Sequence, residues 1–198
     1  MARDANNRAR GATSQKIWEM VVYAMLAALM LISKLVMEAL PNVHLLGVLT
    51  VVYTVVFRSR ALIPIYLYVF MNGVIAGFSF WWVPYLYIWT LLWGAVMLVP
   101  ERLPRGVRAV VYPLICSLHG FLFGVLYAPA QALAFGLDFR GMLAWIAAGS
   151  VFDIIHGVSN LVLGLLALPL SELIVRLAGD RLKRGKKTDL PIDKRAPM

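Results

Sequence analysis

The chain has 198 residues, of which 61% are hydrophobic and only 15% charged, with a mean hydropathy of +0.78. Soluble domains carry about a quarter charged residues, so this composition excludes a water-soluble enzyme or binding module and points to an integral membrane protein. The net charge of +9 reads as membrane topology and attraction to anionic lipid, with no nucleic-acid partner implied.

The fold expected is an all-α bundle of six transmembrane helices, with both termini cytoplasmic. A basic N-terminus covers residues 1–16, the transmembrane domain 17–179 and a basic tail 180–198. The first span runs from Ile17 to Leu40 and stops at Pro41. It is too long for a signal-peptide core and no small-residue cleavage site follows, so it reads as a retained helix. The second, His44 to Phe57, rises only ~21 Å against a hydrocarbon layer of ~30 Å. The third is expected over Ala61–Phe80, the fourth over Pro84–Val99, the fifth over Ala109–Leu133 and the sixth over Met142–Leu177. Pro64, Pro84 and Pro113 fall in the first turns of spans three to five, where a missing N–H costs little. Pro169 should kink the sixth.

Charge gives the orientation. Seventeen of the 19 basic residues fall on one side, among them Arg58, Arg60, Arg102, Arg105, Arg108 and the basic tail; only Lys34 and Arg140 lie opposite. The positive-inside rule makes the crowded side cytoplasmic. Cys116 stands alone, so it forms no internal disulfide and reads as a small buried hydrophobe.

The polar exceptions then fall mostly at the outer end. Asn42 and His44 follow the first span, and Asn72 lies in the outer half of the third. Trp81 and Trp82 form the turn before the fourth span, followed by Tyr85 and Trp89. In "SVFDIIHGVSN" of the sixth, Asp153, His156 and Asn160 project within an arc of ~60° and share a face. Ionisable groups in a membrane normally face the bundle interior. Together with the aromatics they suit a polar, ring-bearing ligand. The alternatives are that Asp153 and His156 tie spans together, and that the aromatics form an interfacial belt. Lys34 and Glu38, spaced i, i+4, can neutralise each other. His119 reads as a buried hydrogen-bonding histidine, and Asp138 and Arg140 face water. In "YAMLAALM", Ala24, Ala27 and Ala28 offer a small-residue surface on which another helix can pack closely.

The Ala24/Ala27/Ala28 cluster, "LPNVHLLGVLTVVYTVVFRSRALIPIYLYVF", "GFSFWWVPYLYIWTLLW" and "FDIIHGVSNLVLGLLALPL" resemble the substrate-binding S component of an energy-coupling factor (ECF) transporter, over roughly residues 17 to 177. The resemblance implies a subunit in the plasma membrane of a prokaryotic cell that binds a vitamin or related small micronutrient from outside. It implies a transmembrane T component and two ABC-type ATPases as partners. It also assigns Ala24, Ala28 and, less directly, Ala27 to docking on the T component. The ligand region maps by position onto Trp81, Trp82, Tyr85, Trp89, Asp153, His156 and Asn160. Metal-transporting members carry a histidine in their N-terminus; "MARDANNRARG" has none, so no bare metal ion and no cofactor are expected. No Walker motif is present, so ATP hydrolysis falls to a partner. An intramembrane enzyme using Asp153 and His156, or a structural scaffold protein, is the competing reading. Gly-x-Ser-x-Gly, His-Glu-x-x-His and Asp-rich diphosphate motifs are all missing, so no enzyme is expected.

Overall fold

The computed structural model of the protein describes residues 2–40 and 42–188. Among these the fold is entirely helical: α1 Ala2–Val36, α2 Leu46–Phe57, α3 Leu62–Ala76, α4 Tyr85–Met97, α5 Arg105–Phe121, α6 Phe123–Phe135, α7 Phe139–Gly164 and α8 Ala167–Thr188, with short 3-10 turns at Arg58–Ala61 and Phe80–Trp82. Five continuous helical stretches are long and apolar enough to cross a membrane: Thr13–Val36, Leu46–Ala76, Phe80–Met97, Arg105–Phe135 and Phe139–Gly164. Their outward faces carry Met20, Met25, Ile32, Leu118, Phe152, Val158 and Val162, all exposed, as lipid-facing side chains should be.

The stretch Leu46–Ala76 is not straight. His44 and Tyr68 are joined through His156, Phe123 and Trp89 by ring contacts of 4.7, 4.9, 6.3 and 6.4 Å. A continuous helix between them would be about 36 Å long, so the chain doubles back. The reversal is at Arg58, whose φ of 54° lies in a region favouring glycine. Three interactions hold it there. Its guanidinium donates to the Met97 carbonyl (3.2 Å) and pairs with Glu101 (3.0 Å), while its own carbonyl accepts from Trp93 Nε1 (3.0 Å). Nearby, Arg60 pairs with Glu19 (3.3 Å) and Arg105 with Glu172 (2.7 Å). Such surface pairs contribute little energy, but they mark one end of the bundle.

Helix α2 forms the centre. Its sequence is apolar all round, which calls for burial on every side, and it packs against α1, α4, α5, α7 and α8. Its two threonines are buried, and Thr54 Oγ1 donates to the Thr50 carbonyl (2.7 Å). Tyr53 OH donates to the Leu26 carbonyl of α1 (2.9 Å).

Several boundaries differ from expectation for physical reasons. Helix α1 begins at Ala2, and after Val36 it loosens into turns such as Leu40 N to Met37 O (2.9 Å). A residue preceding proline resists helical geometry; Pro41 itself lies outside the described residues. Pro104 caps α5, so Pro113 stands inside that helix and not in its first turn. The expected fifth span breaks at Leu122 into α5 and α6. The sixth breaks at Leu165–Leu166, between α7 and α8. That break lies where the ring of Pro169 excludes the carbonyl of Leu165, four residues earlier. Helix α8 continues through Thr188 into the region expected as a separate tail, whose residues 189–198 lie outside the description.

Helices α5 and α7 run antiparallel along a seam of small residues. A Cβ on Gly120 would stand 2.9 Å from the Gly157 Cα, and one on Gly164 would stand 2.8 Å from the Pro113 Cα. Ser117 Oγ donates to the Gly157 carbonyl (2.9 Å) and Asn160 Nδ2 to the Cys116 carbonyl (3.3 Å). Close backbone approach of this kind is how helices associate without a hydrophobic driving force.

Candidate ligand site

At the end of the bundle away from the Arg58–Glu101 pair, rings from six elements meet around Trp89, which is 1% exposed. Helix α3 supplies Tyr68, at 6.4 Å between ring centroids. Tyr85, one turn before Trp89 on α4, lies at 5.8 Å. From α5 and α6 come His119 at 5.8 Å and Phe123 at 6.3 Å. Phe123 touches His156 of α7 (4.9 Å), which meets His44 of the α1–α2 connection edge-on (4.7 Å, 71°). Beyond them Tyr127 stacks on Trp145 (5.9 Å, 15°) and donates to the Trp81 carbonyl (2.7 Å).

What distinguishes this cluster is its unpaired polar atoms. Nine buried side-chain N or O atoms lack a hydrogen-bond partner among the described residues. Six belong here or one turn away: His44 Nδ1, Tyr68 OH, Asn72 Nδ2, Trp89 Nε1, His119 Nδ1 and His156 Nε2. Each such group, left unmet, costs about 1–3 kcal/mol. Native interiors hold few of them, and a concentration in one place calls for an explanation. The imidazole of His44 lies in the α1–α2 connection, outside the spanning helices. Burial pushes it down to about 4, and Lys34 adds a smaller lowering. At neutral pH it is uncharged.

The residues expected at the site divide into two groups. His44, Asn72, Tyr85, Trp89 and His156 are brought together, with Trp81 at the edge on Tyr85 (5.7 Å). The others have structural partners. Trp82 Nε1 donates to the Val69 carbonyl (2.8 Å) and its ring packs on Phe78, which fixes the turn before α4. Asn42 takes a φ of 57°, and its carbonyl accepts from Ser159 Oγ (3.1 Å). Asn160 lies lower in the α5–α7 seam, against Cys116 and Gly47. Asp153 faces inward, but Oδ1 accepts from Gly124 N (3.0 Å), and no hydrogen bond joins it to His156 among the described residues. Tyr68, Phe123 and Tyr127 were not legible as site residues, since an aromatic in an apolar span has no local mark of its face. Asp138 caps α7 by accepting from Gly141 N (2.7 Å), and Lys34 pairs with Glu38 at 3.6 Å. Among the three alanines of α1, Ala24 is exposed and Ala28 half-buried, whereas Ala27 is buried in the core and offers a partner no surface.

Asp153 acts as a cap for a helix that starts inside the bundle. The break at Leu122 frees the first amides of α6, and lipid cannot satisfy them. A carboxylate at a helix N-terminus does so, with the helix dipole helping. Asp153→Ala should therefore lower stability by about 0.5–2 kcal/mol and speed hydrogen exchange at Gly124, while Asp153→Asn, which keeps an acceptor, loses less. Thermal unfolding and exchange in detergent check this; an unchanged Asp153→Ala protein would remove the cap.

Among the described residues no group of three or more His, Cys, Asp or Glu side chains is arranged to hold a metal ion. Comparisons with protein-family models, curated proteins and solved structures find no match to this chain.

Proposed function

We propose that this chain is the substrate-capturing membrane subunit of an ECF-type importer. It takes up a vitamin or related micronutrient at the outer end of a six-pass bundle. The observation that carries the binding half is the cluster around Trp89, where six buried polar atoms, five on aromatic or imidazole rings and one on the Asn72 amide, lack partners among the described residues. The transport half rests on the resemblance in the segments around Ala24, His44, Trp82 and His156. Counting α2 and α3 as separate passes, on either side of the reversal at Arg58, gives six crossings. The end bearing Arg58, Arg60 and Arg105 is then cytoplasmic by the positive-inside rule, and both termini lie there. This orientation turns the ring cluster outward, where a scarce nutrient is met. ATP hydrolysis belongs to two ABC-type ATPases, coupled through a transmembrane T component.

The exposure of Ala24 on α1 supports a docking role for that face, with Ala28 one turn further on. Ala24→Trp should abolish uptake into cells while leaving the amount of bound small molecule nearly unchanged, because it blocks docking and spares the site. The wild-type chain, tagged and crosslinked in its own membrane, should bring down a larger membrane protein and two ATPases. Full uptake by the Ala24→Trp cells, or crosslinked material without ATPases, would overturn the importer reading.

A further inference from the structure

We infer that the ligand of this cluster is uncharged: a nitrogen heterocycle that offers acceptor atoms to α3 and α4 and an N–H or O–H donor to α5. The inference rests on the reading above that the cluster is a ligand site.

The donor and acceptor pattern follows from the side chains. Trp89 Nε1 can only donate, and so can Asn72 Nδ2; the Tyr68 hydroxyl can do either. All three lack partners, and Tyr68 and Asn72 stand one turn apart on the inward side of α3. Across from them, His119 Nε2 lies 3.2 Å from the Ile88 carbonyl. A carbonyl oxygen only accepts, so Nε2 carries the proton. In a neutral imidazole that leaves Nδ1 as an acceptor, and His119 Nδ1 is another of the unpaired atoms. The rings of Trp89, His119 and Phe123 lie 5.8–6.3 Å from one another, an aromatic surround that suits a ring-bearing ligand.

Among the described residues no charged side chain is bonded to the five residues around Trp89 that carry this pattern, although Lys34 acts on His44 at the edge of the cluster. Lys34 pairs with Glu38 near the exposed end, Asp138 caps α7, and Asp153 accepts from Gly124 N. Arg140 is exposed. The pairs of Arg58, Arg60 and Arg105 tie the opposite end of the bundle. No ion pair or hydrogen bond among the described residues brings a charged side chain to Tyr68, Asn72, Trp89, His119 or His156. A charged ligand would leave water with no counter-charge bonded at these five residues, which the low-dielectric interior penalises heavily. A neutral ring with carbonyl or ring-nitrogen acceptors loses little water and meets every open donor.

The test compares small molecules retained by two purified full-length proteins, wild type and the Tyr68→Phe/Trp89→Phe double variant. Tyr68→Phe keeps its ring and loses only the hydroxyl, whereas Trp89→Phe removes the indole N–H together with one of its two fused rings. Solvent extracts of each are compared by mass spectrometry, with thermal unfolding confirming that both are folded; if the double variant is not, Tyr68→Phe alone replaces it. The expected result is a heterocycle, neutral at pH 7, enriched about tenfold or more in the wild type. An enriched compound with a net charge at pH 7 overturns this inference and leaves the importer reading standing. Extracts with no difference overturn the ligand-site reading itself.

Discussion

Gly157→Leu is expected to leave no stable bundle: the protein should be lost during detergent extraction, or unfold far below the wild type. A Cβ at this position would sit 2.5 Å from the Phe121 ring, and the neighbouring Gly120 Cβ would sit 2.9 Å from the Gly157 backbone. Overpacking a core costs about 1–3 kcal/mol where side chains can give way, and more where they cannot. The Phe121 atoms met include Cγ, at the root of the ring and not its far end, so turning the ring about its own axis does not clear the clash and α5 and α7 must separate. Separation breaks the hydrogen bonds along the seam, from Ser117 to Gly157 and from Asn160 to Cys116, each worth about 0.5–1.5 kcal/mol. The combined loss, on the order of 5 kcal/mol, approaches the whole stability of a typical domain. Gly149→Ala is the control. It lies on the same helix, an added Cβ meets nothing within 4 Å, and alanine favours helix by about 0.5–1 kcal/mol. Size-exclusion chromatography and thermal unfolding of the two variants should give opposite results. A Gly157→Leu protein within a few degrees of wild type would mean that the seam does not hold the fold.

The same seam shows what could be read from the chain and what could not. Apolar runs, proline positions and the i, i+4 spacing of Lys34 and Glu38 are local features, and each translated into a helix limit or a contact. The shared inward face of Asp153, His156 and Asn160 was equally legible, because it needs only the helical period. What each residue does on that face was not. Asp153 caps α6 only because the chain breaks at Leu122, and its partner, Gly124 N, is 29 residues away. Asn160 bonds α5 because Gly47 and Cys116 make room for it. Those assignments depend on register between helices, which apolar sequence hardly encodes. His119 was legible as a buried hydrogen-bonding histidine, and Nε2 does bond the Ile88 carbonyl. The pattern could not show that its second nitrogen lies unpaired beside Trp89. Tyr68 was invisible for a related reason: Tyr53, Tyr66 and Tyr68 look alike in sequence, yet only the structure separates paired hydroxyls from an unpaired one.

That last contrast yields a prediction whose sign is its test. Tyr53 and Tyr68 are both 0% exposed. The Tyr53 hydroxyl donates to the Leu26 carbonyl, whereas the Tyr68 hydroxyl has no partner. Tyr53→Phe should therefore destabilise the protein, by about 0.5–1.5 kcal/mol for the bond and somewhat more for the carbonyl left behind. Tyr68→Phe should do the opposite in ligand-stripped protein, since it removes a buried hydroxyl whose desolvation is uncompensated, a gain of about 1–3 kcal/mol. In ligand-loaded protein the gain should shrink or reverse, because the hydroxyl then has something to bond. Thermal unfolding of both variants, each stripped and loaded, separates the cases. If Tyr68→Phe loses stability in the stripped state as Tyr53→Phe does, its hydroxyl holds the fold rather than a guest. A gain confined to the stripped state would mark the Tyr68 hydroxyl as a group held for a guest, because on that reading it has no other partner until the guest arrives.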